Sequence, residues 1–230
     1  MAPYRSWKIQ PKYWGADVRR KPRSPHRQLD HMPEERYEYV LIVCEGEKTE
    51  PYYFKELRKK YRLSAINIQV TSADGSDPVS VVRTARSRQN DRKKTRQKPF
   101  DRIYCVFDRD EHSNFDAACQ QLADLQNQGF RSACSWPCFE FWLLLHFRYT
   151  RGPFVRDGKR TAAQNCEHAL RSEMNDYRKG KTDVFVKLLP RLEEAKKRAI
   201  RALQNAKETD ERNSSTKVHQ LVDYLQTLSR

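Results

Sequence analysis

Glu45 and Gly46 follow the apolar run Val40-Leu41-Ile42-Val43-Cys44, and Asp108, Arg109 and Asp110 follow a second run, Ile103-Tyr104-Cys105-Val106-Phe107. Carboxylates are hard oxygen donors. One or two of them, completed by water and phosphate oxygens, are what Mg²⁺ ordinarily takes. A cation held there polarises a phosphodiester and lowers the pKa of a bound water. Asp108 and Asp110 stand two apart, so in an extended segment both project to one side. Gly46 lets the backbone turn tightly beside Glu45. Glu45, Asp108 and Asp110 are therefore expected to form a metal site, for Mg²⁺ with Mn²⁺ as a substitute. A lone Asp-x-Asp also occurs in solvated turns; two acid turns, each at the carboxyl end of an apolar run, make a much narrower pattern.

The neighbours of these turns carry two readings each. Lys48, within Glu47-Lys48-Thr49-Glu50, either reaches a phosphate or belongs to a helix start capped by Thr49, with acids in its first turn. Arg109 lies between the aspartates and points away from them, toward a phosphate or a surface salt bridge. His112 is a general acid or phosphate ligand, or a structural residue at a helix start. Glu140 begins a helix at the same expected edge and is a further catalytic candidate. His146 falls inside that apolar helix and reads as structural.

The two runs can bring their acids together only if they are parallel strands ending at one edge of a sheet. Strands are expected at 37–44, 66–70, 103–107 and 130–135. Helices are expected at 49–61, 78–95, 113–128, with Gly129 as its stop, and from Phe139 to Phe147. This alternation specifies an α/β fold with an open, mostly parallel sheet flanked by helices. In a doubly wound sheet the first and third strands flank the topological switch point, where Glu45 and Asp108 would meet. Helices then follow at about 161–173, 184–207 and 215–228, the last with a capped start at Asn213-Ser214-Ser215-Thr216. The expected organisation is a basic, extended arm over residues 1–36, a catalytic core over 37–150 and a basic helical extension over 151–230.

The chain has 230 residues and a formal charge of +15. The excess is uneven: residues 1–36 carry nine Lys/Arg against four Asp/Glu, residues 37–147 carry 17 against 15, and residues 148–230 carry 19 against 11. Cationic flanks of this kind favour polyanions through counterion release. The chain contains no apolar stretch of membrane-spanning length and no apolar signal-like run in its first 30 residues, so a cytoplasmic protein with no membrane partner is expected. Of six cysteines, only Cys134 and Cys138 are closely spaced, and no second pair matches them, which argues against a zinc site.

Four segments together resemble one family. Cys44 through Phe54 (CEGEKTEPYYF), Phe107 through His112 (FDRDEH), Phe139 through Phe147 (FEFWLLLHF), and Asn213-Ser214-Ser215-Thr216 followed by Val218 and Leu221-Val222 look like successive motifs of RloB-like proteins. A proline commonly stands in that family at the position of Ser214. The resemblance implies a Toprim-like fold, with Glu45 in an acid/base and metal-proximal role, Asp108 and Asp110 as Mg²⁺ ligands, and Glu140 in an auxiliary one. It implies a metal-dependent nuclease of bacterial phage defence, with RNA, including transfer RNA, favoured over DNA as substrate. The family's association with a separately encoded ABC-type ATPase implies such a partner, since this chain has no Gly-x-x-x-x-Gly-Lys-Ser/Thr motif. The alternative is a nucleic-acid-binding sensor, or a partner of a defence ATPase, that retains the fold without catalysis.

Overall fold

Val40–Cys44 forms β1, and each of its five residues is at most 1% exposed. A strand buried on both faces must be covered on both, and the connections supply that cover. A computed structural model describes residues 38–229; the expected basic arm, residues 1–36, lies outside the described residues. From β1 the chain runs through α1 (Thr49–Lys60), β2 (Ile68–Ser72), α2 (Pro78–Lys94), β3 (Arg102–Val106), α3 (Phe115–Asp124) and β4 (Phe130–Ser132). These strands form one sheet in the order β2-β1-β3-β4, parallel throughout. The α/β alternation expected from the apolar periodicity is thus the architecture observed. β2, expected from its alternating pattern to be half exposed, lies at the edge.

Side chains alternate across the sheet into two cores. Leu41, Val43, Ile103, Cys105 and Phe107 meet Val81, Val82 and Ala85 of α2 and Phe115, Ala118 and Leu122 of α3. Val40, Ile42, Cys44, Tyr104 and Val106 face the larger core, built from α1 and from the helices of the chain after β4. That later part comprises β5 (Ser135–Trp136), α4 (Glu140–Leu144), α5 (Ala162–Glu173), α6 (Val184–Leu188), α7 (Leu192–Glu208), β6 (Ser215–Thr216) and α8 (Val218–Thr227). Residues on both sides of position 150 share this core, Phe139 and Trp142 packing among Phe185, Ala195 and Leu221. Tyr53 of α1 anchors it: its hydroxyl accepts a hydrogen bond from Trp142 Nε1 at 2.9 Å, and its ring meets Phe54, Phe139 and Phe185 edge-on.

Local chemistry explains the boundaries. Asp77 caps α2, accepting from the backbone N–H of Val79 and Ser80 at 3.1 Å each, and Pro78 occupies the first turn. Gly129 stops the segment after α3 with φ +88°, and an added Cβ would stand 2.6 Å from the Asp101 carbonyl oxygen. Several expectations shift. β2 begins two residues later than expected. The helix expected over 184–207 divides into α6 and α7 around Pro190, which lacks the N–H a continuous helix needs. Ser215 and Thr216 form a strand antiparallel to β5, so α8 begins at Val218, with Thr216 Oγ1 accepting from the Val218 N–H. Thr49 does not cap α1; its hydroxyl accepts instead from the Gly180 N–H at 3.0 Å.

His146 is the structural residue its place in an apolar helix suggested. It is 1% exposed, its Nδ1 is 3.1 Å from the Trp142 carbonyl oxygen, and burial pushes its pKa down to about 4. Its folded value thus lies below the unfolded value of roughly 6.5, so the unfolded chain takes up the extra proton between those limits. Stability falls as pH drops through that window, by on the order of 3 kcal/mol from this group. Chemical denaturation at pH 7 and pH 4.5 should show a smaller acid loss for His146→Gln than for the parent chain; equal losses would contradict this assignment.

Candidate active site

The β1–β3 pairing sets Cys44 opposite Val106, and the backbone N–H of Glu45 continues the ladder by donating to the Val106 carbonyl at 2.9 Å. Glu45 and Asp108 therefore leave adjacent strands at the same edge. They are joined directly, the Asp108 N–H donating to Glu45 Oε2 at 3.0 Å. The other oxygen, Glu45 Oε1, stands 2.7 Å from His112 Nε2. Asp108 Oδ2 accepts from the Phe139 N–H at 3.0 Å, which places the next residue, Glu140, at the same edge. Glu140 is 3% exposed; its Oε1 accepts from the Tyr177 hydroxyl at 2.9 Å and lies 3.7 Å from Lys179 Nζ.

Glu50 completes the group. It lies in the first turn of α1 with 9% of its surface exposed, close enough to Gly46 that an added Cβ there would meet Glu50 Oε2 at 2.3 Å. The absence of a side chain at position 46 thus makes room for a second carboxylate, beyond easing a turn. Burial raises the pKa of Glu50 to about 7, with Glu140 and Glu45 adding to the rise. Burial likewise raises Asp108 well above the usual carboxylate range, and Glu50, Glu140 and Glu45 push it further. Glu45 is raised by burial against the opposing pull of the Asp108 N–H and His112. Glu45, Glu50 and Asp108 are thus each held toward the protonated state at one sheet edge.

The three remaining expected residues are placed differently from the acids. Asp110 does not continue an extended segment: its φ is +31°, its N–H donates to the Pro137 carbonyl at 2.9 Å, and it is exposed. The same-side argument for Asp108 and Asp110 therefore fails locally, although burial still raises the Asp110 carboxyl and His112 opposes that rise. Arg109 turns away from the acids, as expected. Its guanidinium lies 5.2 Å from the Trp136 ring centroid and 5.7 Å from that of Phe115, and it donates to the His112 carbonyl at 2.5 Å, so it braces the turn. Lys48 is exposed, makes no ion pair among the described residues, and lays its stem along Gly180.

The family model for RloB-like proteins matches residues 40–225, a span that includes every carboxylate just described. The chain belongs to the RloB-like family. No curated protein and no solved structure matches it. Among the described residues of this RloB-like protein, no group of three or more His, Cys, Asp or Glu side chains is arranged to hold a metal ion, and no helix is long and apolar enough to cross a membrane. The donor chemistry nevertheless suits a hard divalent cation, because buried carboxylates that raise one another's pKa are relieved by a positive charge.

Two kinds of residue escaped sequence reasoning. Glu50 resembled a helix-start acid, but it shares a face with Tyr53, Phe54 and Leu57, the buried stripe of α1. An acid on the apolar stripe of an amphipathic helix is the signal that identifies it. Tyr177, Lys179 and Glu167 gave no such signal, since the first two come from a loop and meet Glu140 only through the tertiary fold; Lys179 Nζ also lies 3.8 Å from Glu167.

The raised pKa of Glu50 has a definite sign. Its folded value of about 7 lies above the usual 4.5, so the stability from its protonated form is fully present below the unfolded value and lost as pH rises through 7. Glu50→Gln removes that loss. Its melting temperature relative to the parent should be several degrees higher at pH 8 than at pH 5; a pH-independent difference would show that Glu50 is not under electrostatic strain.

Proposed function

We propose that this protein is a metal-dependent nuclease that hydrolyses phosphodiester bonds, with RNA favoured over DNA and transfer RNA among its substrates. The observation that carries the reading is the convergence of Glu45, Glu50, Asp108 and Glu140 on one edge of a parallel sheet, in a chain whose formal charge is +15. Family membership supports a role as an antiphage, abortive-infection effector working in the cytoplasm with an ABC-type ATPase. Basic flanks attract the polyanion, and the acidic edge is where its charge requires a cation.

Glu45 and Asp108 are the residues that would hold Mg²⁺ or Mn²⁺, with Asp110 at the rim and Glu50 and Glu140 beside them. When bound, the ion would neutralise a phosphate oxygen and make a water more acidic. Glu45, bridged to His112 Nε2, is placed to exchange a proton with the attacking water or with the leaving oxygen once the phosphorus–oxygen bond breaks. The Phe139 N–H holds Asp108 in place, and Tyr177 with Lys179 holds Glu140. The second reading, a non-catalytic nucleic-acid sensor or ATPase partner, is favoured by one observation: Glu45 and Asp108 already have hydrogen-bonding partners within the chain.

Incubation of the purified chain with total RNA and with plasmid DNA, in Mg²⁺, Mn²⁺ or EDTA, separates the two. Cleavage should appear with metal, preferentially on RNA, and stop in EDTA. Asp108→Ala should lower it roughly a hundredfold or more while the circular dichroism spectrum is unchanged. Salt-sensitive binding without any metal-dependent turnover would establish the second reading instead.

A further inference from the structure

The two longest helices are both rich in Lys and Arg, but they treat that charge in opposite ways. On α7, Lys196 pairs with Glu193 at 2.9 Å and Asp223 at 2.7 Å, and Lys197 pairs with Glu194 at 2.7 Å. Arg198 donates to the Leu145 carbonyl at 2.9 Å, and Arg201 lies over the Tyr149 ring. The cations of α7 are largely spent on the protein itself.

On α2 they are not. Arg83, Arg86, Lys93 and Lys94 fall within about 100° of one another on the 3.6-residue repeat, centred opposite Val81, which packs on the sheet. All four are exposed, and among the described residues none forms an ion pair. The only acid on the helix is Asp91. A row of unneutralised cations repels itself, and a polyanion relieves that repulsion. The start of α2 also adjoins the carboxylate edge: Asp77, its cap, accepts from Asn114 Nδ2 at 2.6 Å, and Asn114 lies two residues beyond His112. From there the helix runs away from the edge for about 25 Å, at 1.5 Å per residue.

We propose that the exposed face of α2 is the docking track for the phosphate backbone of a nucleic acid, guiding one strand toward the carboxylate edge, and that α7 is not. The track reads charge rather than sequence, because long flexible cations on a helix surface contact phosphates without reaching base edges. It takes the identity of the partner, a nucleic acid, from the function proposed above, but it does not depend on cleavage.

Binding in EDTA separates the two ideas. A fluorescein-labelled RNA hairpin and a DNA duplex of the same sequence are titrated with the full chain by fluorescence anisotropy, across a range of salt concentrations. Arg86→Glu/Lys93→Glu/Lys94→Glu should weaken binding at least tenfold and make the salt dependence shallower by roughly two, given a slope of about 0.7 to 0.9 per phosphate contact. The matched α7 variant, Lys197→Glu/Arg201→Glu/Lys207→Glu, should change affinity less than threefold. The milder Arg86→Gln/Lys93→Gln/Lys94→Gln variant should fall between parent and charge reversal, and it tests the track should the reversal variant lose its fold. Loss of affinity for both probes supports a shared backbone track; loss for one alone names which nucleic acid uses it. Equal losses from α2 and α7, unchanged binding by the α2 variants, or no binding of either probe by the parent would each overturn the proposal. Intact, α2-dependent binding without cleavage would remove the nuclease reading and leave the track standing.

Discussion

Parallel pairing of β1 with β3 sets Cys44 beside Val106, so Glu45 and Asp108, which follow these strands, emerge at the same sheet edge within one residue of each other in register. The hydrogen bond from the Asp108 N–H to Glu45 Oε2 depends on that register. A slip of one residue would send Val40, Ile42 and Cys44 to the opposite core and carry Glu45 out of reach. The register is held because both faces of both strands are buried: Tyr104 and Val106 must meet the large core, and Ile103 and Cys105 the small one. Hydrophobic burial on two faces thus places a polar pair at the edge.

Bringing four carboxylates to that edge opposes folding, and the protein meets the cost locally. His112 faces Glu45, the Phe139 N–H faces Asp108, and Tyr177 and Lys179 face Glu140. Glu50 sits in the opening left by Gly46, and burial beside Glu140 and Glu45 brings it to about 7 against the pull of a backbone N–H and of Lys179. Polar compensation is therefore uneven, strongest at Glu140 and weakest at Glu50. An edge built this way is short of positive charge, although the chain as a whole has a large excess of it.

That excess is divided by the sheet. The large core collects α1 and all the helices after β4, and most cations of α7 on this side are paired with acids or turned onto carbonyl and aromatic groups. Among the described residues, α2 and α3 are the helices that cover the small core, and Arg83, Arg86, Lys93 and Lys94 of α2 form no ion pair. Composition reports both helices as basic; pairing within the fold distinguishes them.

The α/β alternation, the parallel sheet and the placement of Glu45 and Asp108 at strand ends were legible in the sequence, because continuous apolar runs and helix-start chemistry at Asp77-Pro78 are local signals. The motifs at Cys44–Phe54, Phe107–His112 and Phe139–Phe147 likewise identified the family. Other features were not local. Asp110 departs from an extended path because its N–H is drawn to the Pro137 carbonyl, and Ser215-Thr216 becomes a strand because β5 offers it a partner. Thr49 gives up capping for Gly180, 131 residues away in the chain. Glu50 left a trace in the sequence, an acid on an apolar stripe, whereas Tyr177 and Lys179 left none. The sequence by itself determined which residues enter strands and which acids follow them, since period and turn chemistry act over a few neighbours. Only the tertiary structure decided which charges are neutralised and which remain free, because those pairings join segments that the chain keeps far apart.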